Sequence, residues 1–231
     1  MCAERIAPPT PRAALEKACA ALKVFPLHGV AVLPGTPTPF HVFEPRYRAL
    51  VEDALRGDRV LAVPGLVSKE GAHQLHPPLL PVAGACLIEK DERYEDGRFD
   101  IVVRGIARVR LHEELAAVHP YREFRAEILE DVWPAGGPDR LQPELESLRQ
   151  LVYQLAQRLP SESGAPALAE AVAQMRDPSQ IADLVAAAAV SEPEARQKVL
   201  EQLDVARRLE MVLEEVAGVV LVLSKGQNPR A

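Results

Sequence analysis

AGACLIEKDERYEDGRFDIVV, residues 83–103, is the stretch on which the fold turns. Asp96-Gly97 lies between two strand-like runs, residues 83–90 and 99–103. Asp-Gly in that setting predicts a two-residue type I′ hairpin, whose central positions both need positive φ. After the turn Phe99, Ile101 and Val103 alternate with Asp100, Val102 and Arg104, so one face of the strand is buried. Gly105 interrupts the run as a bulge or corner would, and residues 106–111 continue the sheet. Cys86, in mid-strand, reads as a small core residue.

Working outward, short apolar runs at 24–27, 30–33, 60–63 and 124–129 predict further strands. The proline-rich stretch 34–39 cannot be a central strand or a helix interior. Glu44-Pro45 opens a helix with Tyr47, Leu50, Val51, Ala54 and Leu55 on one face, ending at Gly57. Many short strands around one helix suggest a strongly bent sheet or partly open barrel.

Past Trp133 the composition changes. Residues 134–138, Pro-Ala-Gly-Gly-Pro, read as a turn or linker, and Ala, Leu, Glu and Arg dominate beyond it. Leu145, Leu148, Val152 and Leu155 mark a helix over 141–159. Asp177-Pro178 caps and opens another, with Ile181, Leu184, Val185 and Ala188 as its apolar face. Ser191-Glu192-Pro193-Glu194 has the form of a capping box. A stripe from Val199 through Leu203, Leu209, Leu213, Val216 and Val220 to Leu223 predicts one helix, about 45 Å long at ~1.5 Å per residue, stopped by Gly226. The expected organisation is an N-terminal appendage, 1–23, a β lobe, 24–137, and a helical lobe, 138–231.

Composition narrows the function. With 48% hydrophobic and 26% charged residues the chain is a folded one. Its net charge of -6 argues against a surface that coats nucleic acid, and 4% aromatics against a base-stacking platform. Cys2, Cys19 and Cys86 are odd in number and lack C-x-x-C spacing, so neither disulfides nor a cysteine zinc site is expected. Prolines 8 and 9 stand where a signal peptide would be apolar, and the run 216–223 is far short of a membrane span. The expected location is cytoplasmic.

No phosphate-binding loop, dinucleotide fingerprint or nucleophile elbow is present. His112-Glu113 is followed by a histidine only at His119, which breaks the zinc-protease spacing. His73 and His76 lack a nearby third ligand, and the pairs Glu113/Glu114 and Glu214/Glu215 read as solvated faces. The expectation is no catalytic residues, no metal and no cofactor. Two features stand out. In residues 41–48, HVFEPRYR, Phe43 and Tyr47 can pack and Glu44 can cap, with Arg46 or Arg48 bridging to a carboxylate; alternatively Arg46 and Tyr47 line a peptide groove. Arg104, Arg108 and Arg110 make either an ion-paired sheet face or a patch for an anion or acidic peptide.

With these residues in hand the chain resembles the LON substrate-binding domain, the N-terminal domain of the ATP-dependent protease Lon. The resemblance runs from Phe25-Pro26-Leu27 and Leu33-Pro34-Gly35 through residues 39–48 and Pro81-Val82-Ala83-Gly84. It continues at Asp96-Gly97 and Gly105-Ile106-Ala107-Arg108, then at Asp177-Pro178-Ser179-Gln180-Ile181-Ala182-Asp183 and Arg207-Arg208-Leu209-Glu210. It implies an α+β protein: a PUA-like β-barrel lobe followed by a helical bundle with a long C-terminal helix. It also implies a role in protein quality control, without the ATPase and protease modules of Lon in these 231 residues. The expected partner is an unfolded or tagged polypeptide, met by Phe43, Arg46, Tyr47, Arg104 and Arg108. The alternatives are an adaptor that binds a protein partner, or itself, through Leu209, Leu213 and Val216, and RNA binding by the β lobe.

Overall fold

The computed structural model describes residues 10–68 and 76–226. Among the described residues six strands and seven α-helices fall into two compact units. The first holds residues up to His28 and Pro37–Ile128; the second holds Gly29–Thr36 and the chain from Leu129 onward.

In the first unit α1 (Pro11–Ala18) starts with Pro11 in its first turn, and the Thr10 hydroxyl accepts from the Ala13 N–H. Strands β1 (Leu22–Val24) and β2 (Pro37–Val42) precede α2 (Pro45–Arg56), and β3 (Val60–Leu66), β4 (Leu79–Arg93), β5 (Phe99–Glu114) and β6 (Arg122–Leu129) follow. The strand order is β2-β5-β4-β3-β1-β6, and β6 also pairs with β5, so the sheet closes on itself with β2 outside the ring. β2 is an edge strand paired only with β5, the one place in a sheet where Pro37 and Pro39 fit. The ring is filled by small and branched side chains, among them Val24, Val60, Ala62, Ala83, Ala85 and Val109. Cys86 is fully buried and its thiol pKa is raised by that burial. Residues 1–23 were expected to form an appendage; Ala14, Leu15, Ala18 and Leu22 lie in this same buried cluster.

The β4–β5 hairpin is longer than expected, and Phe99 to Leu111 is one strand rather than two. Ile106 is an extra residue on β5 and Glu89 one on β4, so two bulges offset each other and keep the alternation in phase. The turn is not type I′. Arg59 is the only described non-glycine residue with positive φ, so Asp96 does not adopt it; Gly97 does, at 81°. The Gly97 N–H donates to Tyr94 O and the Tyr94 N–H to Arg98 O, closing a three-residue loop that ends in a glycine bulge. The expected strand at 30–33 is absent too. Thr36 donates from both its amide and its hydroxyl to Leu33 O, and Pro34 offers no N–H, so the segment folds as a turn while Val32 and Leu33 stay buried.

The second unit is helical: α3 (Gln142–Arg158), α4 (Ala165–Gln174), α5 (Pro178–Ala189), α6 (Pro193–Glu201) and α7 (Val205–Ser224). Leu145, Leu148, Val152 and Leu155 are buried as the periodicity predicts. On α5 the buried face is Ile181, Ala182, Val185 and Ala186, and Ala188 is exposed; a run of alanines does not set the phase of a stripe. The N-cap of α6 is Glu192, without a side-chain cap bond, so Ser191 builds no capping box.

The stripe from Val199 to Leu223 is two helices. Gln202 is extended, and Asp204 caps α7 by accepting from the Arg207 N–H at 3.1 Å. α7 therefore runs 20 residues, about 30 Å, and Gly226 follows it with φ 69°. The break is held by a buried cluster. Arg208 donates from Nε to Gln202 O at 2.8 Å, from Nη1 to Ser179 Oγ at 2.8 Å, and from Nη2 to Asp131. Among the described residues no helix is long and apolar enough to cross a membrane.

Candidate functional site

Pro45 suits the first turn of α2, and the two residues after it are thereby fixed at the helix start. Arg46 donates to Glu44 Oε2 at 2.9 Å, and its guanidinium lies 4.5 Å from the centroid of the Tyr47 ring. Tyr47 is almost wholly buried, with its ring 4.7 Å from that of Phe25, and its phenol pKa is raised chiefly by burial. Facing α2 are the ends of two strands. Arg122, opening β6, donates from Nε and Nη2 to the two oxygens of Glu114, closing β5, both at 2.7 Å. Its Nη1 donates to Pro77 O at 2.8 Å. This forked pair holds the Glu114 carboxyl below the usual carboxylate range, against the opposing effect of burial.

Between those strand ends, residues 115–121 form a loop whose Val118 is 81% exposed. Tyr121 anchors it: its hydroxyl donates to Asp53 Oδ2 on α2 at 2.8 Å, and burial together with that carboxylate raises its pKa. The His119 ring stacks on Tyr121 with centroids 5.0 Å apart. Helix start, strand ends and loop enclose a cleft of about 280 Å³. Arg46 and Tyr47 form one side and Val118 and His119 the other, with Pro26, Pro77 and Pro120 as stiff walls. His76 is also in the lining, with Nδ1 3.3 Å from Glu114 Oε1; its sequence partner His73 lies outside the described residues. Among the described residues no three His, Cys, Asp or Glu side chains are placed to hold a metal ion. The cleft offers an apolar floor, a cation over a ring and proline edges.

Of the residues singled out from sequence, Arg46 and Tyr47 meet in this cleft. Phe43 does not line it; it is 60% exposed and stacks on His41 at 6.3 Å. Arg104 is engaged with Glu89 on the neighbouring strand, and that hydrogen bond raises its pKa. Arg108 is buried, Arg110 is exposed, and the three arginines form no common basic face. Leu209 and Val216 are fully buried on α7, which packs on α3 and α5 of its own unit, and Leu213 is half-buried. Sequence reasoning missed the loop. Its signal was present as Leu115-Ala116-Ala117-Val118, an apolar run too short for a strand and closed by His119-Pro120.

A closed β unit with a cleft on it and a helical bundle define a two-unit α+β module. The model of the ATP-dependent protease La (LON) substrate-binding domain matches residues 21–218, and the chain belongs to that family. Lon protease 2 of Thermus thermophilus is 31% identical over 192 residues, covering 83% of this chain and 23% of that protein. Lon protease 2 of Myxococcus xanthus is 30% identical over 198 residues, covering 84% and 23%. The chain thus spans under a quarter of the length of these relatives. The N-terminal domain of Mycobacterium avium complex Lon protease has the same fold, with a TM-score of 0.68 at 19% identity, over 85% of this chain and 98% of that one. The Lon N-terminal domain protein of Xanthomonas campestris matches with a TM-score of 0.58 at 20% identity, over 84% and 97%.

Proposed function

We propose that the chain recognises unfolded or tagged polypeptide in cytoplasmic protein quality control, and that its own residues carry out no bond chemistry. The observation that carries this reading is the cleft at the start of α2, where Val118 presents apolar surface beside the Arg46 cation in a substrate-binding family. An extended segment would lay an apolar side chain against Val118 and Pro120, above the buried Tyr47, with Arg46 steering acidic neighbours. Phe43, exposed on the same unit, would add a second apolar contact, and Arg104 a charged one. Arg108 has no part in it, being buried. Ordering a disordered segment costs free energy, so affinity should be modest.

The adaptor reading has less in its favour, since Leu209 and Val216 are buried in the chain's own bundle and only Leu213 of the three is half-buried. RNA binding has less in its favour too, since Arg104 is engaged with Glu89 and Arg108 is buried.

The test is fluorescence anisotropy of a labelled, permanently unfolded polypeptide at low and moderate salt. Saturable binding that salt barely changes, weakened several-fold by Val118→Asp and by Arg46→Glu, is the expected result. Binding that ignores both substitutions would move the site elsewhere, and no binding at either salt would end the reading.

A further inference from the structure

A second concavity lies wholly within the helical unit and plays no part in the proposal above. It measures about 630 Å³, and its sides are Trp133, Pro138, Gln142 and Pro178. Arg149 of α3 and Arg176, just before α5, also line it. Trp133 is the chain's single tryptophan and is 37% exposed. Its backbone neighbour Val132 is pinned, donating to Leu203 O at 2.8 Å and accepting from the Val205 N–H at 3.0 Å.

Arg149 is the unusual member. Its side chain is three-quarters buried, at 25% exposure, and Nη2 donates to Met175 O at 2.8 Å. Its nearest carboxylate oxygen, on Glu146, is 3.9 Å away, beyond hydrogen-bond reach. Its Nε is buried with no partner. Among the described residues only one other side-chain atom shares that state, Glu144 Oε2, and Glu144 does not line the pocket. The enclosed Nε is out of a ligand's reach, but Nη1 is not enclosed and meets nothing closer than that Glu146 oxygen, so the outer edge of the guanidinium is what a ligand's oxygens would complete.

We propose that this pocket binds a carboxylate carried next to an apolar group. The planar fork of an arginine matches a carboxylate's two oxygens, and the indole and two prolines give the adjoining group an apolar wall. The charge balance sets the class. The lining carboxylates are Asp139 and Asp177, and Asp177 is engaged in capping α5 through the Ser179 and Gln180 amides. Two guanidinium groups against two carboxylates leave no surplus for a polyphosphate, whereas one carboxylate can be held by one fork. Such a group occurs at the end of a polypeptide whose last residue is apolar, and in free small acids.

Trp133 reports on the site directly. The full chain is titrated with N-acetyl-L-leucine and with N-acetyl-L-leucinamide, neither of which absorbs where tryptophan is excited. The acid should change the emission saturably, and the amide should bind at least about tenfold more weakly, the size of one charge-assisted hydrogen bond. Arg176→Glu, at an exposed position and checked for an unchanged circular dichroism spectrum and melting temperature, should lose the response. Equal binding of acid and amide would overturn the proposal, as would the absence of any saturable change. Inorganic phosphate competing as well as the acid would also overturn it, by showing a generic anion site. A peptide ending in leucine, free or amidated, separates the two sources. Binding of the free form as tight as the small acid's supports chain ends as the ligand; binding of the small acid alone supports free acids.

Discussion

Arg208 shows how much one residue can hold in this chain. Its side chain has no solvent contact, and its partners come from the segment before α3, the first turn of α5, and the break before α7. Asp183, 1% exposed, stands 3.7 Å away. Removing the guanidinium would take a buried cation away from Asp183 and Asp131. Arg208→Met should therefore cost about 3–5 kcal/mol in denaturant unfolding, and adding Asp183→Asn should recover part of the loss. In the sequence this arginine stood out only through its neighbours, because burial of a charge is not written in its own letter. Arg108 failed for the same reason in the opposite direction: an arginine on a strand reads as solvated, and here it is inside. Glu114 carries a prediction about pH. Its folded pKa is lowered, first by the hydrogen bonds from Arg122. Above the ordinary glutamate value, about 4.3, the pair contributes its full stability. As the pH falls the unfolded chain takes up a proton before the folded one does, so stability is lost through the folded pKa. Melting temperatures of Glu114→Gln should thus fall less steeply on acidification than those of the parent, and parallel curves would show that the pair contributes little.

At the scale of elements, existence was easier to read than termination. The hairpin announced itself through Asp96-Gly97, yet its loop has three residues because only Gly97 takes positive φ. A Cβ on Gly97 would also come within 3.4 Å of the Arg48 guanidinium carbon. Gly97→Ala should cost about 1–2 kcal/mol from backbone strain, visible as a lower denaturation midpoint at unchanged slope. The last helix misled for a related reason. Apolar spacing carries on unbroken from Val199 to Leu223, and nothing in the pattern records that Asp204 caps a fresh start. The cap and the carbonyls taken by Arg208 outweigh continued helix at that point. Asp204→Ala should destabilise the bundle by about 1 kcal/mol; a neutral result would leave Arg208 as the sole cause of the break. The cleft divides along the same line. Arg46 and Tyr47 were legible because Pro45 fixes where α2 begins, whereas the facing loop depended on how two distant strands end, which no local pattern contains.

At the scale of the whole molecule the chain is not simply β then α. Near Trp133 proline- and valine-rich text gives way to alanine, leucine and glutamate. Composition could not show that Gly29–Thr36, embedded in the β text, groups with the helical unit. Within that unit Pro193 lies beside Gly29, 3.7 Å from where a side chain would begin, and Val32 and Leu33 are 1% and 0% exposed. Eight residues separated by the length of a domain are invisible to any window of periodicity. The consequence can be tested on fragments. A chain of residues 129–231 lacks Val32 and Leu33, so the surface they cover would meet water. At roughly 1.5–3 kcal/mol for each large side chain, that fragment should be markedly less stable than one carrying residues 29–36 joined through a flexible linker. Equal melting temperatures for the two would mean that the segment merely lies on the helical unit without stabilising it. A gain from the linked segment that disappears on Leu33→Asp would show that its buried leucine is part of the bundle's core.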